Sequence, residues 1–287
     1  MPFNVSGTLV PLHLLINPRL VISSVIVKDI RQLDFRELRK AGYRGAVFDK
    51  DNCVTIPHRD QLVPELKEAW NECREAFGEN NVLIVSNSAG TRLDPGGIQA
   101  ESVSHYLNVP VLRHLKLKPS YACITSIRKY FSSLPEPVKD DELIVVGDRI
   151  FTDVVMANRM ARKIPPSTDS QPEPILSVSE RSAAEQEKPK EEKDVREEKE
   201  RRATKAGPLS IWTTGVWERE SMAFRFLEKS VMEGVKKYVS ESNGVLVRGD
   251  LRRFVKDVPA PSPPGVKDAD NEKKGWFGRV WAKLRRA

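Results

Sequence analysis

Ala46-Val47-Phe48-Asp49-Lys50-Asp51-Asn52-Cys53-Val54-Thr55 is the stretch that decides the fold of this chain. Three apolar residues run into two aspartates at i and i+2, and a threonine follows four positions after the second. A short apolar run bounded by polar residues predicts a buried parallel strand. Successive side chains alternate faces, so Asp49 and Asp51 can share one crevice at the strand's carboxyl end. Paired carboxylates there can divide the labour of phosphoryl transfer. One attacks phosphorus and the other handles the proton, with a magnesium ion between enzyme and phosphate. Taken alone, an Asp-x-Asp pair reads more simply as a solvated acidic turn.

Three further signals follow in order. The apolar run Val82-Leu83-Ile84-Val85 leads into Ser86-Asn87-Ser88-Ala89-Gly90-Thr91. Lys118 lies in Leu117-Lys118-Pro119, and Leu143-Ile144-Val145-Val146 ends in Gly147-Asp148-Arg149-Ile150-Phe151-Thr152-Asp153. Hydroxyl, lysine and acidic pair, each after a strand or in a loop, resemble the four motifs of the haloacid dehalogenase superfamily of aspartate-nucleophile phosphatases. Within it, Phe48-Asp49-Lys50-Asp51-Asn52-Cys53-Val54-Thr55, with Ser86-Asn87-Ser88-Ala89-Gly90 and Gly147-Asp148-Arg149, is similar to the mitochondrial phosphatidylglycerophosphate phosphatases of fungi and plants. The similarity covers roughly residues 10 to 217, interrupted by one insertion.

The resemblance implies a Rossmann-like α/β fold and dephosphorylation of phosphatidylglycerophosphate to phosphatidylglycerol, the penultimate stage of cardiolipin synthesis. It implies Asp49 as nucleophile and Asp51 as the acid that protonates the departing glycerol oxygen, then the base that activates water. Ser86 and Lys118 hold phosphoryl oxygens. Mg²⁺ sits on the Asp49 side chain, the Asp51 backbone carbonyl and Asp148, while Asp153 orients a metal-bound water. Asn87 assists through its backbone N–H, and Arg92, Arg113 and Lys116 are candidates for the second, diester phosphate. The expected location is the matrix side of the mitochondrial inner membrane. Two rivals keep the fold: a phosphatase for another phosphate monoester, and a non-catalytic membrane-associated scaffold. Intact Asp49, Asp51, Lys118 and Asp148 argue against the scaffold.

Alternation of strands and helices predicts a parallel sheet with flanking helices and right-handed crossovers. Strands are expected at 46–48, 82–86, 109–112, 142–147 and 209–212. Helices are expected at Asp34–Lys40, Pro64–Phe77, Ile98–Leu107, Thr125–Phe131 and from Asp153 to Met160. The intervals from Thr55 to Ser86 and from Asn87 to Lys118 each hold about one helix and its connections. That leaves no room for a large cap domain, so an open site able to take a bulky headgroup is expected.

Composition divides the chain further. Residues 1–40 read as an apolar lead-in, and 41–164 with 208–217 as the phosphatase core. From Glu180 to Lys205 there are nine acidic and nine basic residues. Such a stretch cannot bury enough apolar surface to offset its ordering entropy, so 165–207 reads as a charged, disordered insertion. Residues 218–257 read as a helical extension, with Phe224, Leu227, Val231, Val235 and Tyr238 as its packing stripe and Arg225, Glu228 and Lys229 on other faces. Residues 258–287 form a Pro-rich linker and a basic tail, in which Trp276, Phe277, Val280, Trp281 and Leu284 interleave with six basic residues.

Net charge of +7 and a pI near 9.2 favour an anionic partner. No nucleic-acid motif is present, so the reading is a peripheral contact with an anionic phospholipid surface through the amphipathic tail. The apolar segment Thr8–Val27 contains Pro11, His13, Pro18 and Arg19 and makes a poor membrane span. Three scattered cysteines without Cys-x-x-Cys suggest neither disulfides nor a zinc site, and fit a reducing compartment.

Overall fold

The computed structural model describes residues 17–161, 207–218, 222–242 and 251–256. Residues 1–16 of the lead-in, all of the charged insertion except Gly207, and the 258–287 tail lie outside the described residues. The chain forms β1 (Val25–Val27), α1 (Phe35–Lys40), β2 (Gly45–Phe48), α2 (Lys67–Phe77), β3 (Val82–Ile84) and α3 (Ile98–Leu107). It continues through α4 (Tyr121–Ser132), β4 (Leu143–Gly147), α5 (Val155–Met160), β5 (Leu209–Thr213) and α6 (Met222–Ser242).

All five strands are parallel, in the order β1-β5-β4-β2-β3. From β2 the chain crosses to β3 on one side and then to β4 on the other. The sheet therefore has its topological switch between β2 and β4, whose carboxyl ends open the crevice where ligands bind in such folds. Asp49 follows β2 and Asp148 follows β4, so the connectivity brings together two motifs almost a hundred residues apart.

Burial explains why these strands read as continuous apolar runs. β2, β3, β4 and β5 are buried along their whole length because helices cover both faces. Ala46, Phe48, Ile144 and Val146 face α1, α2 and α3, where Phe35, Trp70, Phe77 and Leu107 pack. Val47, Leu83 and Val145 face α4 and α5 through Ile127, Phe131 and Met156. Phe48 meets Trp70 edge-on at 5.2 Å, and the Trp70 indole N–H donates to the Leu107 carbonyl at 2.9 Å. The helices begin where side chains satisfy their first N–H groups. Asp34 accepts from Glu37 N at the start of α1, and Ser120 accepts from Cys123 N at the start of α4.

The structure corrects several sequence expectations. The 109–112 strand is a single parallel bridge between Ile84 and Val111; Pro110 has no N–H to extend a ladder. The fifth strand is β1, from the stretch read as lead-in; it is a three-residue edge strand, too short to announce itself by periodicity. The helix expected from Asp153 begins with a π-helical turn, Ile150–Val154, before α5. The helical extension does form, yet Leu227 is exposed, while Met232 and Glu228 are buried and Arg225 turns to the site. Past α6 the chain returns to the core. Phe254 is buried against Tyr43, and Lys256 Nζ pairs with Glu72 at 2.7 Å. Among the described residues no domain interrupts the intervals before Ser86 and Lys118, which contain loops, two single 3-10 turns, α2, β3 and α3. No helix among them is long and apolar enough to cross a membrane.

Candidate active site

Asp49 is the first residue beyond β2, and its N–H still donates to the Val146 carbonyl at 2.9 Å. Backbone pairing to β4 thus delivers its carboxylate to the switch point. There the carboxylates of Asp49, Asp148 and Asp153 lie within 4.8 Å of one another. Asp153 reaches the cluster because Gly147 carries no side chain; a Cβ at Gly147 would lie 2.3 Å from the Asp153 carboxyl carbon. The buried ammonium of Lys118 bridges the group, donating to Asp49 Oδ1 at 2.6 Å and to Asp153 Oδ1 at 2.7 Å.

Charge and burial work against each other here. Burial pushes the Asp148 carboxyl well above the usual range and Asp49 adds to the rise, while Arg225 and Arg149 oppose it. Burial and the Asp49 charge raise Asp153 to about 6 against the pull of Lys118. Burial alone would lower Lys118, but Asp153 and Asp49 outweigh it and hold the ammonium above its ordinary value. A cluster of this kind calls for positive charge. Asp148 Oδ1 is buried with no hydrogen-bond partner. An orphaned carboxylate oxygen within an all-oxygen donor set suits a hard divalent cation. Asp49, Asp148 and Asp153 are the residues that fit it.

Asp51 takes a different position. Its carboxylate accepts from Lys50 Nζ at 2.7 Å, from His58 N at 3.1 Å and from Ser88 Oγ at 3.1 Å. Its carboxylate is therefore not one of the three clustered side chains; the metal ligand expected of Asp51 is its backbone carbonyl, on which the side chain's position does not bear. Lys50, part of the motif but given no role from sequence, is fully buried and anchored to the Arg59 carbonyl at 2.8 Å. Asn52 enters the left-handed region at φ 59° and accepts from both Trp217 N and Glu218 N at 3.1 Å. Lys50 and Asn52 are thus structural parts of the motif: Lys50 steadies Asp51, and Asn52 ties the loop to the segment after β5. Cys53 is buried and its thiol is pushed up by that burial, as befits a packing residue.

Ser86 is buried two residues past β3, with its Oγ 2.9 Å from Ser88 Oγ. Ser88 therefore links the Ser86 hydroxyl to Asp51, a connection the sequence reading missed. The Asn87 side chain clamps the lysine loop, a role the sequence did not announce: Oδ1 accepts from Lys118 N at 2.7 Å, and Nδ2 donates to the Lys118 carbonyl at 3.4 Å. Arg92 and Arg113 are exposed beside the neighbouring cavity, and Arg113 pairs with Glu101 at 2.9 Å. Neither is bonded to the carboxylate cluster.

Helix α6 supplies two groups unseen in sequence. The Arg225 guanidinium pairs with Asp148 Oδ2, and Glu228 Oε1 accepts from Phe151 N at 3.0 Å. Their i, i+3 spacing puts them on one helix face, a signal hidden by the stronger apolar stripe. Burial raises Glu228 to about 7, opposed by its bond from Phe151 N. The folded state thus binds this proton more tightly than the unfolded chain, and stability is lost as pH rises from the ordinary 4.5 through about 7. Glu228→Gln keeps an acceptor for Phe151 N without the charge. It is expected to stabilise the protein by up to roughly 3 kcal/mol above about pH 8 and to change nothing below about pH 4. Chemical denaturation across that range checks it.

The family described as mitochondrial PGP phosphatase matches residues 5–164, a span that includes all four motifs. The chain belongs to this family. Over 157 residues it is 38% identical to the mitochondrial phosphatidylglycerophosphatase of Saccharomyces cerevisiae, a match covering 55% of this chain and 83% of that one. It is 41% identical over 144 residues to the chloroplastic phosphatidylglycerophosphate phosphatase 1 of Chlamydomonas reinhardtii, covering 50% of this chain and 51% of that protein. The corresponding chloroplastic/mitochondrial protein of Arabidopsis thaliana is 35% identical over 158 residues, covering 54% of this chain and 43% of its own. The match thus spans about half or less of the two longer relatives. No solved structure matches significantly. As a PGP phosphatase family member the chain is a phosphatase, and its parallel sheet carries the motifs of the haloacid dehalogenase fold at the switch point.

Proposed function

We propose that this enzyme hydrolyses phosphatidylglycerophosphate to phosphatidylglycerol through an aspartyl-phosphate on Asp49, with Mg²⁺ as cofactor. The observation that carries the mechanism is the buried Lys118 ammonium held between Asp49 and Asp153, in a cluster with an orphaned buried oxygen. The substrate reading rests on the family and on the names of its relatives.

Asp49 attacks the terminal phosphorus and the glycerol oxygen departs. Asp51, turned off the cluster and fixed by Ser88 and Lys50, gives that oxygen its proton and then takes one from the water that cleaves the acyl phosphate. Lys118 and the Ser86 hydroxyl receive the phosphoryl oxygens, and Asn87 supports them by placing the Lys118 backbone and offering its own N–H. Asp49 and Asp148, with the Asp51 carbonyl, would hold Mg²⁺, and Asp153 would orient its water; when bound, the ion offsets phosphoryl and carboxylate charge. Arg92 and Arg113, on the neighbouring cavity, are the residues we assign to the diester phosphate. On this reading the product feeds cardiolipin synthesis, and the enzyme works on the matrix side of the mitochondrial inner membrane.

The test is phosphate release from phosphatidylglycerophosphate in mixed detergent micelles, beside glycerol phosphate, a nucleotide and a phosphopeptide. The lipid should have a kcat/KM at least ~100-fold above the soluble esters, because only it engages the diester-binding groups. Equal or better turnover of a soluble ester would transfer the activity to another phosphate monoester.

A further inference from the structure

The loops that carry Ser86 and Lys118 on their inner side have an unusual outer side. Leu93, Ile98 and Leu115 are 47%, 73% and 67% exposed. Leu115 and Arg113 line a cavity of about 270 Å³ together with Arg92, and Leu93 and Ile98 flank its lining residues Arg92 and Gly97 in sequence. Exposed Lys116 follows Leu115. Single exposed leucines are ordinary, but aliphatic side chains interleaved with cations on one rim mark a contact surface.

These side chains cannot fold inward, because the inner side of the loops is already bonded. Asp94, the acid within the first loop, is buried and accepts from Gly90 N at 2.9 Å, Gln99 N at 2.8 Å and Ala100 N at 2.8 Å. Gly90, at φ +74°, lies so close beneath the Leu112 carbonyl that a Cβ would come within 2.4 Å of it. His114 N donates to the Gly90 carbonyl at 2.8 Å, which locks the two loops together. The nearby Glu101 carboxylate is paired with Arg113. The rim is therefore aliphatic and positive, on a rigid base.

That base is also the phosphate site. The His114 ring lies 2.9 Å from the Ser86 carbonyl, and Lys118 follows Lys116 by two residues. Whatever docks on the rim is brought to the open side of the catalytic loops. We infer that the rim formed by Leu93, Ile98 and Leu115 with Arg92, Arg113 and Lys116 is the face by which the enzyme lies on an anionic lipid bilayer. The aliphatic tips enter the headgroup boundary and the cations meet lipid phosphates, the charge pattern of an interfacial surface. The inference rests on the lipid reading of the substrate, and it assigns the contact to the folded core rather than to the basic tail.

The test uses the full chain and vesicles of phosphatidylcholine with phosphatidylglycerol, a lipid that carries no monoester to hydrolyse. Leu93→Glu/Ile98→Glu/Leu115→Glu should weaken vesicle flotation by about tenfold or more, yet leave hydrolysis of p-nitrophenyl phosphate within a few-fold. A second measurement avoids any folding defect in that variant. Cys53, Cys73 and Cys123 are all buried, so a polarity-sensitive dye on Leu115→Cys reports that position alone. Its emission should shift to the blue when phosphatidylglycerol vesicles are added, and this should not happen with phosphatidylcholine alone. Unchanged flotation of the triple variant, or no dye shift, overturns the proposal and moves the contact to residues 1–16 or 273–287. Failure of the substrate reading would show separately, in the detergent-micelle assay.

Discussion

Asp49→Asn is expected to reduce turnover of any phosphate ester by ~10⁴-fold or more, the loss that follows removal of a nucleophile. The fold should survive the change. The amide oxygen can still accept from Lys118 Nζ, and one negative charge leaves a cluster in which Asp49 raises both Asp148 and Asp153. The variant should therefore unfold at a temperature equal to or above that of the parent. Steady-state kinetics with calorimetry measures both quantities. Near-parental turnover with an unchanged midpoint would remove Asp49 from the nucleophile's role.

The second large effect concerns Asp148. Chelation should abolish turnover and Mg²⁺ should restore it, whereas Ca²⁺ should restore it poorly because its looser shell does not fix the reacting geometry. Asp148→Ala should raise the Mg²⁺ concentration needed for half-activity by about 10–100-fold. A second consequence comes from the structure itself. Arg225 is paired with Asp148, and its Nε already has no hydrogen-bond partner. Removing the carboxylate leaves a largely buried guanidinium uncompensated, a loss of about 3–5 kcal/mol in stability. Arg225→Gln in the Asp148→Ala background should recover most of it. Full activity of the parent in excess chelator would contradict the metal reading. Equal stability of the single and double variants would contradict the pairing.

The sheet and the order of its motifs were legible because parallel strands buried on both faces must be apolar throughout. Val82–Ile84 and Leu143–Gly147 show this directly, each followed by polar loop residues. Asp49, Lys118, Asp148 and Asp153 were singled out through the resemblance their motifs carry, and the fold brings the four together at one end of the sheet. β1 escaped notice because three residues cannot display a period, and an edge strand needs little apolarity to pair with β5. Lys50, Ser88, Arg225 and Glu228 escaped because local pattern gives the wrong expectation for each. A lysine between two aspartates reads as solvated, and Arg225 and Glu228 sit beside an apolar stripe that usually sets a helix's inner face. Instead the buried N–H of Phe151 and the carboxylate of Asp148 draw these polar groups inward, because an unpaired buried group costs more than an exposed leucine. The side-chain contact of Asn87 escaped for a related reason: it is with a backbone 31 positions away.

The central claim, an aspartyl-phosphate on Asp49 formed from a lipid phosphomonoester, has one direct measurement. The enzyme is mixed with phosphatidylglycerophosphate labelled in its terminal phosphate and quenched in acid within one turnover. The acyl phosphate is then reduced with borohydride, and the peptide spanning Asp49 and Asp51 is sequenced by mass spectrometry. Homoserine is expected at position 49, in an amount that tracks the bound label, with Asp51 unmodified. Label at Asp51 or Ser86, or rapid lipid turnover with no trapped phosphoenzyme at any residue, would contradict it.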